Sequence, residues 1–187
     1  MKTQRRLAKP VLACLFAALI AAGAYIAIPL PGTPVPIVLQ NFFILLAALV
    51  LEPLWSLVAV LIYLALGAAG LPVFSGGAGG LARFVGPTGG YLGAYPIAVL
   101  LAGLVAHRGK RGAVKDAVAL VLASILIYAL GVSWLKESLN ATWTTAIALG
   151  LLPFLPGDVL KIVAAVLLGR RLSRLVEDLT LDGEPGG

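Results

Sequence analysis

Apolar residues in this chain come in long runs, not in the alternation of a half-buried strand. The runs cover roughly 11–28, 37–51, 54–70, 90–106, 117–135 and 157–170. Long apolar stretches with few charges read as membrane-spanning helices, and a bilayer core about 30 Å thick asks for ~20 residues per helix. Several runs fall short of that, so tilt, local thinning or extension into polar flanks is expected. The pattern predicts an all-α integral membrane protein with six transmembrane helices, folded as one domain over residues 1–176. The tail 177–187, EDLTLDGEPGG, is polar and expected to be disordered.

The polar residues between the runs orient them. Lys2, Arg5, Arg6 and Lys9 precede the first run, Arg108, Lys110, Arg111 and Lys115 separate the fourth from the fifth, and Arg170, Arg171 and Arg174 follow the sixth. Six crossings put all three groups on one side, which the positive-inside rule makes cytoplasmic. Of the 14 Lys and Arg, only Arg83, Lys136 and Lys161 lie elsewhere. Both termini are then cytoplasmic. A competing reading takes MKTQRRLAKPVLACLFAALIAAGA as a cleaved leader, but its removal would leave five runs and break this charge pattern.

Composition agrees. The 187 residues are 60% hydrophobic and 12% charged, with a mean hydropathy of +1.03, whereas a soluble domain is about half apolar and about a quarter charged. The pI of 9.8 reflects cations gathered between spans, not a nucleic-acid-binding face. One cysteine, Cys14, cannot form an internal disulfide and reads as a small buried hydrophobe. No metal or cofactor is expected.

The outer loops are rich in proline and glycine. IPLPGTPVP (28–36) cannot be helical, and LEPL (51–54) makes a tight inner turn. The segment 136–156 has an apolar centre too short to span and is expected as an amphipathic or re-entrant outer piece. NAT (140–142) matches a glycosylation sequon but reads as ordinary loop. The loop SGGAGGLARFVGPTGGYLGAYP (75–96) carries eight glycines and one cation, Arg83. Its glycines let backbone approach a ligand closely, and GPTGGY leads into a helix N-terminus whose N–H groups are free.

Charges at membrane depth are costly and usually functional. Asp158 and Lys161 stand at i and i+3, on one helix face, with Pro156 and Gly157 at the helix start. Together they offer an acceptor and a strong donor, which suits a polar ligand with N–H and C=O groups or an amphipathic one with a carboxylate. The plainer reading is a mutual ion pair. Arg83 breaks the positive-inside pattern and suits a carboxylate. The loop around it is expected to be a lid over an outward-facing pocket whose other wall carries Asp158 and Lys161. Gln40 and Asn41 open the second span, where they could bond a ligand or join helices. Tyr91 and Tyr95 could pack on a ligand. Trp55, Trp134 and Trp143 fit interfacial belts, and His107 reads as solvated. Ala13, Ala17 and Ala21, like Ala18 and Ala22, are spaced for close helix approach, within this chain or to another subunit.

No energy source is visible. GLVAHRGKR (103–111) has the wrong glycine spacing for a P-loop, and Arg111 stands where Ser or Thr would hold magnesium. HExxH and GxSxG are absent, and the one histidine lies on the cytoplasmic side. A small binding chain without a nucleotide site suggests a capture subunit with separate energising partners. A membrane enzyme using Asp158 is the reading of a different class.

IPLPGTPVPIVLQNFF (28–43), GLPVFSGGAGGLARFVGPTGGYLGAYP (70–96) and LPGDVLK (155–161), in this order, resemble the BioY family, the biotin-specific S components of energy-coupling-factor (ECF) transporters. The likeness covers roughly residues 10–172. It implies an S-component-like six-helix bundle, not an enzyme, that binds biotin at the outer face of a prokaryotic cytoplasmic membrane. It implies two partners, a transmembrane coupling protein and a pair of cytoplasmic ATPases. It implies ligand contacts at Asp158, Lys161, Arg83 and the glycine loop, including Gly89, Gly90 and Tyr91, and docking of the coupling protein on Ala13, Ala17 and Ala21. Some relatives carry an asparagine in the loop between spans 3 and 4. This chain has none from Ala47 to Ser138, so Ser75 or backbone groups are expected to substitute. Capture of another vitamin on the same fold is the nearest alternative.

Overall fold

The computed structural model describes residues 2–181, with side chains over 7–176. The helices follow the expected runs in order: α1 (Lys2–Tyr25), α2 (Gln40–Val50), α3 (Pro53–Ala68), α4 (Ala82–Val85), α5 (Gly89–His107), α6 (Ala113–Ser138), α7 (Trp143–Gly150) and α8 (Leu155–Leu181). Among the described residues, three are long and apolar enough to cross a bilayer: Leu7–Tyr25 of α1, α5 and α6. The pair α7 and α8, bent by 48° at the break between them, is long and apolar enough to make a fourth if the two act as one span. Helices α2 and α3 are apolar but shorter. Six principal helices lie at the six expected runs, but only three or four of them are long and apolar enough to span by themselves, and the short ones are the two joined by the inner turn.

Local chemistry sets the breaks. Pro53 starts α3, where a missing N–H costs nothing. Asn140, at φ 48°, ends α6 in the left-handed region that asparagine tolerates. Thr142 of the sequon caps α7, its hydroxyl accepting from the Thr145 N–H at 3.3 Å. The segment 136–156 is thus the end of α6, a turn and the short outer helix α7. Helix α8 runs on to Leu181, into the stretch expected to be a polar tail, and 182–187 lie outside the described residues. The proline-rich stretch 28–36 is pinched at its base by two short antiparallel strands, β1 (Ala27–Ile28) and β2 (Ile37–Val38), in register Ala27↔Val38.

The two ends of the bundle differ as the charges require. At one end Lys9 pairs with Glu52 at 2.6 Å, and the Arg111 guanidinium donates to the Leu49 carbonyl at 2.7 Å. His107, expected to be solvated, is half-buried there beside Lys9, Glu52 and Trp55. At the other end the outer loops meet: the Thr33 hydroxyl donates to the Leu149 carbonyl at 2.9 Å, joining the proline-rich loop to α7.

Small residues let the helices close. Ala13 and Ala17 are buried against α2 and α3 in clusters that include Leu46, Ala47 and Ala59 for the first and Ile44 and Leu45 for the second, and Ala21 is partly buried in the same packing. The alanine series expected to dock a partner is therefore consumed inside the chain, where it seats α1. The outward small residues of α1 are Cys14, Ala18 and Ala22. Cys14 is exposed on that face, not buried.

The glycine-rich loop is pinned, not a loose lid. Phe74 is 2% exposed and lies edge-on between Tyr63 (centroids 5.5 Å) and Phe84 (5.7 Å). Its ring covers Gly67 so closely that a Cβ there would sit 2.1 Å from the ring. Gly76, Gly77 and Gly80 take positive φ and fold the loop back. The Phe74 and Gly80 N–H groups bond to the Ala78 and Gly67 carbonyls at 2.8 and 2.7 Å. Phe74→Ala should destabilise the detergent-solubilised protein by about 3 kcal/mol or more, the usual cost of emptying a phenylalanine site. A thermal midpoint that does not fall would show the loop is held elsewhere.

Candidate functional site

A cavity opens at the outer end of the bundle and holds about 600 Å³ of space, mouth included. The part of that space open to the centre of a water molecule is much smaller, about 40 Å³. It is built from eight parts of the chain. The proline-rich loop gives Val35 and Pro36, the start of α2 gives Gln40 and Asn41, and the pinned loop gives Phe74 and Ser75. Arg83 comes from α4, Tyr91, Leu92 and Tyr95 from α5, and Tyr128, Phe154 and Lys161 from α6, the turn before α8, and α8. Phenylalanines, valine and proline make apolar walls, and one cation sits at the rim because Arg83 is exposed.

The tyrosines are fixed through their hydroxyls. Tyr91 donates to the Gly150 carbonyl at 2.8 Å, and its ring lies over Gly131, where a Cβ would be only 2.3 Å away. Tyr95 donates to Asn41 Oδ1 at 2.9 Å. These bonds tie α5 to the α7 end and to α2, and a buried hydroxyl requires such a partner.

Asp158 and Lys161 form the polar centre. The Lys161 ammonium donates to Asp158 Oδ1 at 2.9 Å, with the two side chains 12% and 10% exposed. The Tyr128 hydroxyl donates to Asp158 Oδ2. Both carboxylate oxygens are thus occupied, and Asp158 also lies in the first turn of α8, where the helix dipole favours an anion. Lys161 is on the cavity wall, whereas Asp158 stands behind it and borders an apolar groove between α6 and α8. Tyr128 lines both spaces and is the partition between them.

Comparisons with known proteins agree with this architecture. A family model described as the BioY family matches residues 1–178. The chain belongs to the BioY family. It is 43% identical over 161 residues to the "probable biotin transporter BioY" of Pyrococcus horikoshii, covering 86% of this chain and 93% of that protein. It is 42% identical over 166 residues to the "biotin transporter BioY" of Thermotoga maritima, with the same two coverages. Its fold is similar to a crystal structure of the "S-component for biotin from an ECF-type ABC transporter", at a TM-score of 0.86 and 31% identity over 93% of this chain and 95% of that one.

In this BioY chain the cavity brings together Gln40, Asn41, Ser75, Arg83, Tyr91 and Lys161 of the residues the sequence singles out, with Asp158 one layer back. Gly89 and Gly90 are elsewhere. A Cβ at Gly89 would lie 1.9 Å from the Phe84 carbonyl oxygen, and one at Gly90 2.2 Å from the Trp134 Cβ. They are glycine because α5 meets α4 and α6 there, and the Trp134 indole also donates to the Gly86 carbonyl at 2.9 Å. Tyr95, which the sequence offers as able to pack on a ligand, also lines the cavity, whereas sequence reasoning missed Tyr128 altogether. A tyrosine inside an otherwise apolar span was the available signal, since its hydroxyl must find a partner.

The buried pair has a testable energetic signature. Lys161→Met leaves Asp158 without its cation and should cost about 3–5 kcal/mol. Adding Asp158→Asn should recover much of that, because no uncompensated charge remains. Thermal midpoints of the ligand-free single and double variants decide it: a double variant no more stable than the single would show that the two charges are not coupled.

Proposed function

We propose that this chain captures biotin at the outer face of a prokaryotic cytoplasmic membrane and delivers it inward as the substrate-binding subunit of an ECF-type ABC transporter. The observation that carries the reading is the outer cavity itself: apolar walls, a cation at the rim and a donor–acceptor pair on α8, in a chain of the BioY family. Biotin has the matching parts, a ureido ring with two N–H groups and one carbonyl, an apolar thiophane and chain, and a carboxylate.

The ureido N–H groups are assigned to Asp158, displacing the Tyr128 hydroxyl, and the ureido oxygen to Lys161. The thiophane and chain lie against Phe74, Phe154 and Tyr91. The carboxylate meets Arg83, whose exposed guanidinium can bind it with two parallel hydrogen bonds while both stay partly hydrated. Ser75 adds a hydroxyl beside the ring, in the loop where some relatives carry an asparagine. ATP hydrolysis belongs to separate cytoplasmic subunits, reached through a transmembrane coupling protein. Ala13 and Ala17 are turned inward and Ala21 partly so, which favours docking of that protein on another part of the surface.

Equilibrium binding of biotin to the purified chain in detergent tests the reading, with Asp158→Asn beside it. Tight binding by the parent and a loss of tenfold or more in the variant are expected, the cost of breaking a charge-assisted bond in a buried site. Binding that survives Asp158→Asn would keep biotin and move the ureido contact. A folded parent that binds none would overturn the assignment.

A further inference from the structure

Gln40 is 2% exposed and lines the cavity, yet its Nε2 has no hydrogen-bond partner among the described residues. The Tyr63 hydroxyl, on α3 and fully buried, is in the same condition. The two side chains face each other: the Gln40 amide acts on the Tyr63 hydroxyl as a donor, but the contact is too poorly aligned to be a hydrogen bond. Tyr91 and Tyr95 at the same site are both satisfied, so this is a local feature and not a general looseness. A buried donor left unmade costs free energy comparable to a lost hydrogen bond.

A half-turn of the amide exchanges its Nε2 and Oε1 ends at little steric cost, since they are nearly the same size. With Oε1 towards Tyr63, the phenol O–H gains an acceptor. Nε2 then faces the cavity, where it can be satisfied only by an acceptor that enters from outside. In the opposite orientation the phenol proton stays orphaned. The empty cavity thus leaves one donor open, and an acceptor arriving there satisfies both groups.

The acceptor's charge can be read from the surroundings. Gln40 and Tyr63 supply neutral dipoles deep in the protein, and a carboxylate buried against neutral donors alone is expensive. The carboxylate has a better place at the exposed Arg83. A neutral carbonyl fits the floor, and a urea oxygen has a second lone pair free beside the one that Lys161 takes. We propose that Gln40 donates to the neutral ring carbonyl of the bound ligand, and that Tyr63 is a positioning residue that holds the Gln40 amide in the donating orientation. This rests on the biotin reading above and adds the polarity of the site: ring head inward, carboxylate at the rim.

The test compares biotin with 2-iminobiotin, in which the ring carbonyl is replaced by a group that only donates at neutral pH. Both are titrated into the full chain in detergent, for the parent, Gln40→Met, Gln40→Glu and Tyr63→Phe. The parent should prefer biotin. Gln40→Met should lose about tenfold in biotin affinity, and the preference over 2-iminobiotin should shrink by a similar factor. Gln40→Glu keeps an acceptor for Tyr63 but offers the ligand only oxygen, so the preference should shrink further or invert. Tyr63→Phe should move it the same way by a few fold, although it touches no ligand. A preference ratio unchanged in Gln40→Met and Gln40→Glu would overturn the proposal while leaving biotin capture standing. Should Gln40→Met fail to fold, the near-isosteric Gln40→Glu carries the comparison. A folded parent that binds neither ligand would overturn both readings.

Discussion

Hydrocarbon cannot solvate a charge, and the site is organised around that constraint. Asp158 is 7% exposed at the outer start of α8, where an ion without partners would be prohibitively costly. Three things make it tolerable: the Lys161 ammonium one turn along, the Tyr128 hydroxyl from α6, and the helix N-terminus itself. Lys161 reaches the cavity only because the carboxylate behind it holds it. Tyr128 stands between cavity and lipid-facing groove for the same reason. Helix α8 must therefore begin where it does, and the 48° break from α7 is the bend that brings the pair to the level of the cavity.

The rest of the site is rigid for reasons of packing. Glycines at 67, 89, 90 and 131 are filled by neighbouring rings or backbone, not left open for motion. Phe74 bolts the glycine-rich loop to α3, Trp134 bolts the start of α5 to α6, and the Tyr91 hydroxyl ties α5 to the end of α7. Charged and polar groups consequently sit on a rigid frame, and a ligand has to rearrange only a few side chains upon it.

Much of this was legible in the chain. Apolar run lengths located the helices, since nothing else in a bilayer satisfies the backbone. The cation clusters separated the two ends, and Asp158 and Lys161 were conspicuous because their spacing and depth are costly together. What was not legible followed from burial direction. A run of small residues says that helices approach, not which face of α1 they use, so Ala13 and Ala17 turned inward while Cys14 turned out. Glycine likewise serves a ligand and a packed indole equally well, which is why Gly89 and Gly90 left the site. Tyr63 and Tyr128 were hidden because a phenol in an apolar span looks like an interfacial aromatic until its partner is known.

Asp158 and Lys161 share one rigid helix and are bonded to each other, which has an electrical consequence. A lone charge crossing the membrane potential does work of about 2.3 kcal/mol per 100 mV. The α8 pair sums to zero, so tilting or sliding that helix within the bilayer moves a small dipole and no net charge. A carboxylate neutralised by Arg83 would ride in the same way. As far as this pair goes, movement of α8 is electrically silent, and any work done by the membrane voltage falls on the other charged groups, Arg83 without its carboxylate among them.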